Sequence, residues 1–277
     1  MIHLNRFIFI SFIAVQYSFP SLSQQLDPQK AIDYSELEIV YKLTYQQDST
    51  DLNDIRMEYM ILLIGKNKSI FLSYNNMLWN KRYREAVERN QVQELFSSQD
   101  RPPASRFRYR IYKNYPMGKI TTVDHLPGNH FRYEEYMDQF NWELTDQRKS
   151  ILGLEAQKAT TYYGGRVWVA WFTTDIQFRE GPYKFHGLPG LILKISDIKN
   201  HYVFEIESIQ KTEPPQPINF IQRHYISTER AKFLQAKKNF RDEIINRAYS
   251  GENPTQTQIT AASNILPRNN PIELKAD

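Results

Sequence analysis

Residues Glu36–Tyr45 alternate apolar and polar side chains. Leu37, Ile39, Tyr41, Leu43 and Tyr45 fall on one face, and Glu36, Glu38, Lys42 and Thr44 largely on the other. A period of two describes a strand with one buried face. The pattern recurs along the chain. Ile55–Ile64 and Ile70–Tyr74 flank the turn Gly65-Lys66-Asn67-Lys68 and predict a hairpin. Further strands are predicted over Arg106–Tyr112, Gly118–Val123, Phe131–Tyr136, Phe140–Leu144, Ser150–Thr161, Arg166–Thr173, Leu191–Ile195 and Tyr202–Ile209. Leu126-Pro127-Gly128-Asn129 and Gly164-Gly165 are turn chemistry between neighbours. No helix alternates with these strands, which argues against a parallel βαβ plan. The expectation is a mainly β (α+β) fold: an antiparallel meander of about ten or eleven strands, curved or closed into a partial barrel, with a β-sandwich as the alternative.

Two segments have helical spacing. Trp79, Tyr83, Val87 and Leu95 recur among Lys81, Arg82, Arg84, Glu85, Glu88 and Arg89, and predict an exposed amphipathic helix ended by Asp100-Arg101-Pro102-Pro103. Residues 228–249, capped by Ser227 or Thr228 and stopped by Gly251, place Phe233, Leu234, Phe240, Ile244, Ile245 and Ala248 on one face. That face has to dock, most simply on the sheet. Glu213-Pro214-Pro215-Gln216-Pro217 reads as a stiff linker before it. The domain plan is a leader at 1–23, one β-rich domain at 24–249 and an extended or disordered tail at 250–277.

The leader rests on Arg6, the apolar run Phe7–Val15 and the small residues Ser21-Leu22-Ser23, which predict a secretory signal peptide cleaved before Gln24. The run is too short to span a bilayer, for which ~20 residues are needed. The expected product is exported, to the periplasm or the exterior, with no transmembrane span. The chain has no cysteine. Disulfides, thiolate metal sites and cysteine nucleophiles are therefore excluded, and so is a lipoprotein anchor. A net charge of +4 gives no case for nucleic acid.

Motifs for common active sites are missing: G-x-S-x-G, H-E-x-x-H, the phosphate-binding loop and the dinucleotide fingerprint. His125 and His130, beside Asp124, flank one turn and would need a third ligand to hold zinc or copper. No metal and no cofactor is expected. Glu134 and Glu135 are adjacent on a strand and face opposite sides. Arg106, Arg108 and Arg110 form a basic stripe on one strand face: structural if acidic side chains on a neighbouring strand pair with it, otherwise suited to phosphate, carboxylate or an acidic glycan. Gly181–Ile192 is dense in glycine and proline and carries Tyr183, Lys184, Phe185 and His186. Gly181, Pro182, Gly187, Pro189 and Gly190 read as turn residues, with Leu188-Pro189-Gly190-Leu191 fitting a type II turn. Tyr183, Lys184 and His186 join the three arginines as candidate binding residues. Asp197 is placed to orient His186 if that histidine does chemistry.

Gly187-Leu188-Pro189-Gly190-Leu191-Ile192 is similar to the signature of the GLPGLI family of exported Bacteroidetes-type proteins. Ala156–Thr161, Gly165-Arg166, Ala170-Trp171-Phe172-Thr173, Gly181–Phe185 and Asn269–Leu274 extend the resemblance. Family members often carry cysteine where this chain has Ala156, so no role of that thiol carries over. The resemblance implies an envelope protein of no established activity, associated with TonB-dependent outer-membrane transporters. The leading expectation is a non-enzymatic protein that binds a ligand or envelope partner. The alternatives are a periplasmic, peptidase-like hydrolase using His186, and a lipid or lipoprotein carrier with a hollow sheet.

Overall fold

The computed structural model describes residues 26–250 and 254–276. The expected leader at 1–23, its cleavage point and Gly251 lie outside the described residues. The strands are β1 (Gln29–Gln46), β2 (Ile55–Gly65), β3 (Ser69–Ser73), β4 (Arg110–Lys113), β5 (Lys119–Leu126), β6 (Asn129–Tyr136), β7 (Glu143–Ile151), β8 (Leu154–Tyr163), β9 (Arg166–Thr173), β10 (Leu191–Asp197), β11 (Tyr202–Ile221) and β12 (Ile226–Ser227). The helices are α1 (Tyr74–Glu88), α2 (Val92–Ser97), α3 (Arg230–Tyr249) and α4 (Gln256–Ile265).

The strands form one twelve-stranded sheet in the order β12-β6-β5-β4-β3-β2-β1-β11-β10-β9-β8-β7. Two antiparallel meanders, β1 to β6 and β7 to β11, are joined where β1 pairs with β11. Among the described residues, only β12 runs parallel to its neighbour, β6. The sheet is curved and open, so the mainly β meander with a C-terminal helix is the fold, and the two-sheet sandwich is not.

The alternation in β1 sets the layers. Ile39, Tyr41 and Leu43 are fully buried on the inner face, together with Met60, Leu62, Phe71, Ile111, Trp168, Phe172, Leu193 and Phe204. Curvature brings strands remote in sheet order together: Tyr163 Oη of β8 donates to Glu135 Oε1 of β6 at 3.0 Å. A second core lies on the opposite face, where Ile61, Ile70, Leu72, Tyr112 and Val123 meet Ile218 and Phe220. The β1–β11 ribbon makes this contact. Its register shifts between Ser35 and Leu37, opposite Lys211 and Gln216. Such a bulge bends the strand and raises its twist. Beyond it, Phe220 packs on Tyr112 and Tyr115 at 5.0 and 5.2 Å between ring centroids.

Several expectations need correction. Residues 213–217 are not a linker but part of β11. β10 pairs with only the start of β11, at Val203–Glu205, so the prolines have β1 on one side and no second neighbour calling for an N–H. The strand expected at Arg106–Tyr112 shrinks to Arg110–Lys113. Ser105 Oγ bonds the Phe107 N–H and carbonyl, a local turn that replaces the ladder. The helix expected at 79–96 starts at Tyr74, capped by Ser73, and is broken at Asn90 (φ +55°) into α1 and α2. Helix α3 begins after Glu229, without a side-chain cap. Its first turn docks Phe233 on Phe131 and Tyr133 of β6. The remainder packs against α4 rather than across the sheet. The segment expected to trail as a tail thus forms α4, and beyond it Asn270 and Glu273 are buried.

Turn 188–191 is also not type II. Gly190 N–H donates to Leu188 O at 2.7 Å, a three-residue turn about Pro189. Glycine is still required at 190, because a Cβ there would sit 1.9 Å from Thr173 O. Gly190→Ala should therefore destabilise the protein by more than roughly 3 kcal/mol, the overpacking range and above. Gly153→Ala, where φ is +79° but no atom lies within 4 Å, should cost only about 1–2 kcal/mol. Urea unfolding of both variants checks this; equal losses would mean that the contact with Thr173 is not what demands glycine.

Candidate functional site

The loop 181–190 lies under the curl of the sheet, held by two buried cations. Lys113 of β4 is fully buried, and its ammonium donates to Glu180 Oε2 (2.7 Å), Gly181 O (2.6 Å) and Phe185 O (3.1 Å). All three of its donors are thereby satisfied. Lys184 is fully buried too. Its ammonium lies 2.6 Å from Glu135 Oε2, 2.7 Å from Glu273 Oε1 and 3.0 Å from Tyr163 Oη. The rings of Tyr133, Tyr163 and Tyr183 surround it at 5.0–5.6 Å. Arg230 of α3 closes the group at 2.7 Å from Glu273 Oε2.

Burial alone would lower the Lys184 pKa. Glu273 in particular outweighs it and holds the group well above the usual lysine value. Burial alone would raise Glu273; Lys184 and Arg230 bring it down to about 2. The lysine is therefore a fixed cation and not a neutral nucleophile at neutral pH. Tyr183 adopts φ +54°, an uncommon state for an aromatic residue. Its hydroxyl donates to Glu273, which holds it there.

His186 is 6% exposed, with Nδ1 2.8 Å from Lys184 O and Nε2 2.7 Å from Met137 O. Asp197 instead pairs with Arg166 at 3.0 Å and accepts the Tyr202 N–H. The His186–Asp197 pair needed for the hydrolase reading does not form. Tyr183, Lys184 and His186, three of the candidate binding residues, are all interior. The inner face, where a lipid carrier would need a hollow, is filled by Trp168, Tyr183, Phe185 and Leu188.

The other candidates converge elsewhere. An open cleft of about 500 Å³ lies between α1, the 101–110 segment, the β5–β6 turn and the β11–β12 connection. Arg101, Arg108, Arg110 and Arg223 line it, with His125 and His130. The carboxylate lining it, Asp124, is matched by Lys237 Nζ at 3.1 Å. Arg106 is not among the lining residues; its backbone N–H is held by Glu58 beside the Ser105 turn.

Two of the arginines are positioned through the imidazoles. Arg108 Nη1 lies 2.9 Å from His125 Nε2, and Arg223 Nη1 lies 2.8 Å from His130 Nε2. A guanidinium only donates, so each ring nitrogen must accept, which requires a neutral imidazole. Burial pushes both histidines below their usual value. Arg108 adds to this at His125 against the pull of Asp124, and Arg223 adds to it at His130. Their ring centroids are 6.0 Å apart. Among the described residues, no group of three His, Cys, Asp or Glu side chains is placed to hold a metal ion. Arg223 also donates to Asp27, while its buried Nε–H has no partner. Sequence reasoning found Arg108, Arg110, His125 and His130. It missed Arg223, almost a hundred residues from His130, because only the path of β11 brings the two together.

Acid stability follows from these shifts. His125, His130 and His186 have depressed folded pKa values, burial being the first cause in each. The unfolded chain takes up these protons first as pH falls below about 6.5, so stability declines there. Glu273, at about 2 when folded against a reference of 4.5, adds a second loss below that reference. Melting temperature followed from about pH 8 to about pH 3 should fall in two stages, and a flat profile down to about pH 4.5 would contradict the histidine assignment. Lys184→Met should cost about 3–5 kcal/mol in urea unfolding, because it strands two buried carboxylates on one arginine.

Residues 165–194 match a family model described as a protein of unknown function (Porph_ging). This is a Bacteroidetes-type family, and the short match includes the loop and its signature. No curated protein matches the chain. Among solved structures, PNGF-II in the P21 space group is similar at 16% identity and a TM-score of 0.50, over 75% of this chain and 34% of that one. PNGF-II in the C2 space group gives 16% identity, a TM-score of 0.45, and 74% and 32% coverage. The chain thus spans about a third of the PNGF-II chains, and at this identity the likeness concerns the fold alone.

Proposed function

We propose that this is an exported cell-envelope protein of the GLPGLI type that binds an anionic ligand or partner, without catalysis, in the cleft beside α1. The carrying observation is the convergence of Arg108, Arg110 and Arg223 on one open cleft, with neutral imidazoles as the acceptors that hold two of them. Arginine forks suit planar and tetrahedral oxyanions, and several acting together attract anions before contact. The signature loop has the architectural part: its charges are paired and interior, and it shapes the sheet that presents the cleft. Among the described residues no helix is long and apolar enough to cross a membrane. Export, and a link to TonB-dependent uptake, rest on the leader sequence and on the family resemblance.

Calorimetric titration with phosphorylated, sulfated and carboxylated polymers tests the reading. Replacing both Arg108 and Arg110 with Glu should weaken binding to every polyanion that the native protein binds, by at least about tenfold, or about 1.4 kcal/mol, at low salt. An unchanged circular dichroism spectrum would confine the loss to the site. If the native protein binds no polyanion, or the reversed variant binds as well, the cleft is not an anion site.

A further inference from the structure

The cleft carries more than charge. Asn76, Trp79 and Asn80 stand at i, i+3 and i+4 on one face of α1, and Asn75 lies one turn before Trp79. All four line the cavity. Phe96 of α2 packs edge-on against Trp79 at 5.7 Å, and Arg101 lies over Phe96 at 5.6 Å. Tyr225 contributes a ring from the opposite side. The lining thus combines aromatic rings and amides with the arginines.

Resting on the anion-binding reading above, we infer that the ligand class is an acidic glycan: a sugar chain bearing carboxylates, as in uronic acids. The volume favours it over an inorganic anion, and the amide and aromatic lining favours it over a nucleotide phosphate. The volume, about 500 Å³, is in the range of sites for drug-sized ligands and far exceeds the needs of one oxyanion. Asn76 and Asn80 each spend one amide N–H on a protein carbonyl, Phe107 O and Asn76 O, and each amide keeps a second N–H and its oxygen, so these side chains offer the cleft both donors and acceptors. A phosphate ionised at neutral pH offers almost only acceptors and would leave the acceptors of the lining unmatched. Sugar hydroxyls donate and accept, so they satisfy both kinds. The cations lining the cleft are all arginines, whose two-nitrogen fork accepts the two-oxygen edge of a carboxylate as readily as that of a phosphate, so the choice between the two rests on the neutral part of the lining. Trp79 and Tyr225 supply flat apolar surface for the C–H face of a pyranose ring. The cleft is open, so an internal segment of a longer chain can lie in it.

Titrating the full chain with a uronic acid oligosaccharide, its methyl ester, a mononucleotide and inorganic phosphate separates the options. The expected result is binding of the uronate, with the ester, the nucleotide and phosphate each weaker by about tenfold or more. Trp79→Ala should weaken uronate binding by about tenfold and leave polyanion binding through the arginines largely in place. Asn75→Ala, at a half-buried position, provides a second variant should Trp79→Ala fail to fold, and is expected to act on the uronate in the same direction. Nucleotide or phosphate binding as tight as that of the uronate would overturn the glycan class while leaving the anion cleft standing. So would undiminished uronate binding by both variants. Failure of all the anionic probes, the polymers above included, would overturn the cleft itself.

Discussion

Lys184 and its carboxylates hold together parts of the chain that nothing else ties so closely. The ammonium joins Glu135 of β6, Glu273 near the C-terminus and Tyr163 of β8, and Arg230 links the same carboxylates to the start of α3. Buried ion pairs add little net stability, because desolvation offsets attraction. Their effect here is to select one arrangement. A sheet of twelve strands can curl to many radii, and only one places Glu135 within reach of Lys184. Arg166 acts the same way on the residues just before Glu273, bonding Asp197, the Asn270 side chain and the carbonyls of Pro271 and Ile272.

The loop 181–190 is the part around which this curvature closes, so its glycines and prolines belong to packing. Gly181 faces Ile192, where a Cβ would sit 2.6 Å from Cδ1. Lys113 caps two of the loop carbonyls from below. The interior of the curl is thereby occupied by protein. The concave surface open to a ligand lies on the other side of the sheet, where the β1–β11 ribbon folds over after its bulge and delivers Arg223 and Tyr225 to the rim of the cleft.

Alternation made the sheet legible. In β2 and β9 the expected strands match closely, since period two directly reports one buried face, while β1 begins at Gln29, well before the expected Glu36. Local chemistry misled where it had a tertiary answer. The prolines of 213–217 resemble a linker until β11 is seen to lack a second neighbour there. Glu273 resembles a tail residue until Lys184 and Arg230 are seen to face it. Arg106 resembles a member of a stripe until Ser105 turns the backbone. The site was half legible: Arg108, Arg110, His125 and His130 are visible as residue types near one another in sequence, whereas Asn76, Trp79 and Arg223 become neighbours only in space.

From the sequence alone follow most of the strands, their antiparallel meander, the C-terminal helix and the exclusion of cysteine chemistry, because each depends on periodicity or composition within a short window. Tertiary structure decided that the two meanders form one sheet rather than a sandwich, that Tyr183, Lys184 and His186 are interior, and that the cations open to a ligand collect beside α1. The physical reason is burial. Whether a charged side chain is a site or a strut depends on which carboxylates fold back to meet it, and for Lys184 these lie 49 and 89 residues away.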